Sequence, residues 1–136
     1  MLTVKTYIDT SEISGIGLFA EEAVAKGTVI WTPTDVLTVC VPLETYEGLP
    51  DPAKRFLLNS GYLKKEDENH IWLDIDNARF INHSDDPNTI ENDREELLAS
   101  RAIAAGEEIT VNYYESFDEN RPFYLQEKKR FGLDGV

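Results

Sequence analysis

The chain is poor in cysteine and in positive charge. Cys40 is the only cysteine, which excludes an internal disulfide and any multi-cysteine zinc site. Only 13 Lys plus Arg stand against 26 Asp plus Glu, so the formal net charge is −13 and the pI about 4.4. A surface this acidic repels phosphates, so DNA, RNA and anionic membranes are poor default partners and basic ones are favoured. No apolar run approaches the ~20 residues that span a bilayer. The opening Met1–Lys5 lacks the apolar core of a signal peptide, so the expectation is a soluble cytoplasmic protein, or nuclear in a eukaryote, and not a secreted one. Repeats, low-complexity tracts and long Gly/Ser/Pro linkers are also missing.

What is present is enough for one folded domain. The 136 residues are 41% hydrophobic and 10% aromatic, apolar mass sufficient to bury a core despite the charge. Thr3–Ile8, Gly17–Ala20, Thr28–Trp31 and Val36–Val41 read as short β-branched strands, the last bracketed by Pro33 and Pro42. Asp51–Leu58 reads as a helix with an Asp cap, Pro52 in its first turn, an apolar face of Phe56, Leu57 and Leu58, and an end near Gly61. His70–Ile75 alternates, with Ile71, Leu73 and Ile75 on one face; Asn88–Glu91, Leu97–Ala102 and Glu108–Tyr113 complete the strands. The tail Arg121–Arg130 is charged with interspersed aromatics and reads as a terminal helix. Many short strands with little helix indicate a mostly β fold rather than alternating βαβ units.

Three segments carry chemistry. Gly15-Ile16-Gly17-Leu18-Phe19-Ala20 matches the dinucleotide fingerprint in letters, with Asp35 at an acidic-ligand distance. Its context is wrong, because six mostly polar residues separate it from the preceding strand and no further βα units follow. A hairpin corner, or a backbone approached closely by a ligand, fits better. The second is Arg79-Phe80-Ile81-Asn82-His83-Ser84 with Pro87-Asn88. Asn82 and His83 offer donors and acceptors suited to an amine- and ring-nitrogen-bearing ligand such as an adenine. Asn82-His83-Ser84 also spells a glycosylation sequon, set aside without a secretory signal. The third, Gly106-Glu107-Glu108-Ile109-Thr110-Val111-Asn112-Tyr113-Tyr114, reads as a turn and a strand ending in two tyrosines.

In this order, over residues ~5–125, the three segments resemble the motifs of SET-domain protein lysine methyltransferases. Two positions depart from the pattern, Asp85 where many members have Cys and Asn112 where they have Asp. The resemblance implies a single SET domain over 1–136, with a C-terminal helix or tail at 117–136 and no zinc-bearing flanks or metal site. Its fold would be the β-clip of several small sheets and short helices, with a knot-like threading of the Asn-His-Ser segment beneath a neighbouring loop. The implied cofactor is S-adenosyl-L-methionine and the implied reaction is methylation of a lysine side chain on a basic protein or peptide.

Carried over residue by residue, Tyr113 matches the active-site tyrosine. The backbone at Ile16, Gly17 and Leu18 would meet the methionine portion of the cofactor. Asn82 would lie near its amino-acid end and His83 near its adenine, while Arg79 reads as a structural tether. Phe117, Phe123, Tyr124 and Phe131 all qualify as the aromatic covering the adenine, and Phe123 is the choice among them. Tyr46, Tyr62 and Tyr114 are candidates for a lysine-channel wall, or equally for core or surface. Asp85, Asp86, Glu91, Asp93, Glu115, Asp118 and Glu119 form an acidic field that favours basic segments. The alternatives are a non-catalytic SET domain that binds peptide or cofactor, and an acidic decoy that mimics nucleic-acid charge. The substrate protein, the number of methyls added and the oligomeric state stay open, a homodimer being one option.

Overall fold

The computed structural model describes residues 1–133. In chain order they form β1 (Thr6–Thr10), β2 (Ile16–Ala20), β3 (Val29–Trp31), β4 (Thr38–Pro42), α1 (Leu43–Glu47), α2 (Asp51–Ser60) and β5 (His70–Asp74). A 3-10 turn (Asn77–Phe80) then leads to β6 (Asn82–His83), β7 (Thr89–Glu91), β8 (Leu97–Ala99), β9 (Thr110–Val111), α3 (Tyr113–Ser116) and α4 (Pro122–Arg130). The fold is mostly β, a set of two- and three-stranded sheets with short helices. The chain groups into two compact units, each discontinuous in sequence: Met1–Thr38 with Asp74–Asn112, and Val39–Leu73 with the chain from Tyr113 on. The last three residues of the 117–136 tail lie outside the described residues.

In the first unit, β1 and β2 form an antiparallel hairpin in which Thr6 pairs with Ala20 and Thr10 with Ile16. β2 has a second neighbour: the Ile109 N–H donates to the Leu18 carbonyl (2.8 Å) and the Ala20 N–H to the Glu107 carbonyl (3.0 Å). Paired on both sides, β2 buries Leu18 and Ala20 completely. Among the described residues β1 gains no such second neighbour, and Tyr7 and Ile8 are exposed although its sequence alternates. β3, β8 and β7 form a three-stranded sheet, and Ile30, Leu97, Ala99, Ile103 and Ile109 are buried in this unit. β6 and β9 pair in parallel, Asn82 with Thr110 and His83 with Val111. Of the expected threading, this pairing is what the described geometry displays.

The second unit has its own core of Tyr46, Leu57, Leu58, Leu63, Ile71, Leu73 and Tyr124. α2 contributes Leu57 and Leu58, while Phe56 is half exposed. Consecutive helical residues point about 100° apart, so three in a row cannot share one face. Asp51 lies inside the first turn, and Pro50 takes the cap position. The Asp51 carboxylate therefore acts on the helix dipole, not as a side-chain cap. β5 stops at Asp74, which leaves Ile75 exposed rather than in line with Ile71 and Leu73. The Tyr124 hydroxyl donates to the carbonyls of Leu58 (3.0 Å) and Gly61 (3.1 Å), tying α4 to the end of α2. The Tyr46 hydroxyl donates to Glu127 Oε2 at 2.6 Å. Burial, and then the Glu127 carboxylate, push its ionisation well above the usual phenol range.

Candidate functional site

The first unit brings together the first motif, the second, and the third as far as Asn112. The corner between β1 and β2 is closed by Ser11, whose N–H donates to the Gly15 carbonyl (2.9 Å) and whose hydroxyl accepts from the Ile13 N–H (2.9 Å). Gly15 turns the chain at φ +50°, a left-handed conformation in which a side chain is strained. Gly17 has a different reason to be glycine. A Cβ there would sit 2.8 Å from Glu108 Cδ, closer still to Oε1, and 3.1 Å from Ser11 Cβ. The missing side chain makes room for a carboxylate of this same protein.

That carboxylate is the centre of the cluster. Ser11 Oγ donates to Glu108 at 2.8 and 2.9 Å to its two oxygens. Asn82 Nδ2 donates to Glu108 Oε1 (2.8 Å), to the Ser14 carbonyl (3.1 Å) and to the Ile16 carbonyl (3.2 Å). The Asn-His segment is thereby fastened to the glycine corner by its side chain and to β9 by its backbone. Leu18 is fully buried, and Ile16 is half exposed. His83 Nε2 lies 3.0 Å from Asp85 Oδ1, so the residue that replaces the usual Cys partners the histidine.

Beneath the cluster Asn88, 1% exposed, ties the second motif to the third. Its Oδ1 accepts from the Thr110 N–H (2.9 Å) and its Nδ2 donates to the Glu108 carbonyl (2.7 Å). Glu107 accepts from Arg101 Nη1 (2.6 Å) and the Ala104 N–H (2.8 Å). Burial alone would raise its carboxyl pKa, but the Ala104 N–H, Arg101 and Asn88 outweigh that and hold it below the usual range. Of the adjacent glutamates, Glu107 locks the turn and Glu108 faces the glycine corner. Sequence reading assigned neither a role. The available signal was no more than two adjacent acidic residues between a turn glycine, Gly106, and the apolar start of a strand.

The other two predicted site residues belong to the second unit. Tyr113 opens α3 instead of ending a strand, because β9 is only two residues long. Its ring lies 5.7 Å from that of Phe117, which lies 4.8 Å from Tyr62, so the unit holds a run of three neighbouring aromatics. Phe123 is half buried in the first turn of α4 and meets Tyr46 edge-on at 5.6 Å. Of the remaining candidates, Tyr46 and Tyr124 are core residues and Tyr114 is exposed. Arg79 donates to the carbonyls of Ile75 (3.3 Å) and Asp76 (3.5 Å) and caps Phe80, a local tether. Among the acidic residues, Asp118 pairs with Arg121 (2.8 Å) and Glu119 with Lys128 (2.9 Å). Among the described residues no three His, Cys, Asp or Glu side chains are placed to hold a metal ion.

Residues 15–114 match the SET domain family. The chain belongs to it. No curated protein matches this chain. Solved structures do. A Plasmodium falciparum protein assigned as a histone methyltransferase is 26% identical, with a TM-score of 0.57 over 82% of this chain and 95% of that one. A humanized mutant of the Chaetomium thermophilum Polycomb Repressive Complex 2 bound to an inhibitor is 24% identical, with a TM-score of 0.61 over 85% of this chain and 16% of that one. The same complex in an autoinhibited conformation, bound to S-adenosylmethionine, is 22% identical at a TM-score of 0.62, over 93% of this chain and 17% of that one. At those identities the Chaetomium structures bear on the fold alone. This SET domain thus belongs to a methyltransferase family.

Proposed function

We propose that this SET domain is an S-adenosylmethionine-dependent protein lysine methyltransferase acting on a basic protein or peptide. The observation that carries the reading is the meeting of three motifs at the glycine corner, where Gly17, Asn82 and Glu108 are fastened together. The corner suits the amino-acid end of the cofactor: a close-packed backbone at Ile16–Leu18 and an asparagine amide whose direction is set. When bound, S-adenosylmethionine supplies an activated methyl group.

The protein's own residues must then present an uncharged amine. A lysine side chain has a pKa of about 10.4 in water and is mostly protonated at neutral pH. An apolar, aromatic surround lowers that value by penalising the charged form. Tyr62, Phe117 and Tyr113 are the residues we assign to that surround. The Tyr113 hydroxyl orients the amine toward the methyl group through hydrogen bonding and weak C–H···O contacts. His83 is assigned to the adenine and Phe123 to its cover. The charge of −13 favours encounter with Lys- and Arg-rich segments and makes that encounter salt-sensitive.

The test is transfer of labelled methyl from S-adenosylmethionine to a lysine-rich protein, followed by intact mass. Wild type labels the substrate, and Tyr113→Phe lowers turnover about a hundredfold while retaining cofactor affinity. Cofactor binding without labelling of any protein in a proteome extract refutes the reading and leaves a SET domain that binds without turnover.

A further inference from the structure

We infer that Glu108 is a positioning residue that sets the direction of the Asn82 amide and so fixes which end of a ligand that amide accepts; this rests on the glycine corner being the cofactor site. An ionised carboxylate accepts hydrogen bonds and donates none. Glu108 Oε1 and the carbonyls of Ser14 and Ile16 place three acceptors around one side of the Asn82 amide, 2.8–3.2 Å from Nδ2. An Asn82 turned the other way would set its carbonyl oxygen against three oxygens. The amide is therefore locked with its NH2 toward the corner, and Oδ1 lies on the opposite side, able only to accept. An acceptor so placed selects a donor such as an α-ammonium group and repels a carboxylate.

The lock depends on neighbours within the motifs and on Ser11, just before the first of them. Ser11 holds both Glu108 oxygens. Gly17 leaves the space into which they fit. The backbone pairing of Asn82 with Thr110, two residues after Glu108, keeps the amide and the carboxylate in register. Glu108 touches Asn82 and Ser11 and acts through Asn82.

Calorimetry with S-adenosylmethionine on wild type, Glu108→Ala, Glu108→Gln, Asn82→Ala and the Asn82→Ala/Glu108→Ala pair tests the inference. Glu108→Ala is expected to weaken binding at least tenfold, whereas Glu108→Gln, whose amide oxygen still accepts from Asn82, stays within about threefold. The double variant binds no worse than Asn82→Ala, because Glu108 works through that residue. In turnover, Glu108→Ala raises KM for the cofactor and leaves kcat and KM for the peptide unchanged, a split that general loosening of the fold does not produce. If Glu108→Ala does not fold, Ser11→Ala carries the test, with about threefold weaker binding expected. Unchanged affinity in either variant, or losses that add in the double variant, overturns the inference while cofactor binding by wild type still stands. Wild type that binds no S-adenosylmethionine overturns the functional reading and this inference together.

Discussion

Replacing Gly17 by alanine tests the packing that joins the three motifs. The residue is not in the left-handed region, so an added methyl costs space and not backbone strain. It would lie 2.8 Å from Glu108 Cδ, and carbon atoms need roughly 3.5–4 Å. The carboxylate must retreat by roughly an ångström, which breaks its bonds to Ser11 at 2.8 and 2.9 Å and to Asn82 at 2.8 Å. Hydrogen bonds to a charged group contribute about 1.5–3 kcal/mol each, and partial re-solvation of the displaced carboxylate recovers some of that, so the expected loss is about 2–4 kcal/mol. Urea denaturation at pH 7 measures it in a double-mutant cycle. With Glu108→Ala already in place the clash is gone, and Gly17→Ala should then cost less than about 1 kcal/mol, the remaining 3.1 Å approach to Ser11 Cβ being mild. An equal cost in both backgrounds refutes the claim that Gly17 is small because of Glu108.

Three further outcomes follow from the geometry. Gly61→Ala would place a Cβ 2.6 Å from the Leu57 carbonyl oxygen and 3.0 Å from that of Trp72; because backbone cannot yield as a side chain does, thermal melting should reveal a loss of about 3 kcal/mol. Asn88→Ala strips the buried Thr110 N–H of its acceptor, and chemical denaturation should register about 3 kcal/mol, against well under 1 kcal/mol for an exposed control such as Asn120→Ala. Burial raises the Asp67 carboxyl, but donation by the Asn69 N–H, His70 and Trp72 outweighs it and holds the group below its ordinary value. Its stabilisation is therefore complete above the unfolded pKa of about 3.9 and lost as pH falls through the lower native value. Asp67→Asn should lose less stability than wild type between pH 5 and pH 2, read by urea midpoints across about that range; an identical pH dependence contradicts the assignment.

Local pattern located the elements that have local causes. Helix α2 was legible from Pro52 and the apolar pair Leu57–Leu58, and β5 from the alternation of Ile71 and Leu73. α1 and α3 were missed, each four or five residues long and too short for a periodic signal. β1 was expected to alternate between core and solvent, yet four of its five residues are exposed, because only β2 acquired a neighbour on its far side. The site divides the same way. Asn82 and Gly17 stand out by motif, and the sequence offers two uses for Gly17, a hairpin corner or a backbone approached by a ligand. Its contact is with Glu108, 91 positions away, and no local rule signals such a partner.

The sequence by itself determined the family, the charge and the residue types available to the chemistry, because these reside in the order and identity of side chains. The scarcity of cysteine and of positive charge likewise needs no coordinates to exclude zinc-thiolate sites and to disfavour phosphate partners. Tertiary structure decided which of two adjacent glutamates turns to the glycine corner. Glu107 and Glu108 are chemically the same, and the segment that pairs with β2 ahead of β9 places one against Arg101 and Asn88 and the other against Ser11 and Asn82. That choice depends on which segments pair with β2 and β6, a long-range outcome in which Leu18, Ile109 and Val111 each become buried.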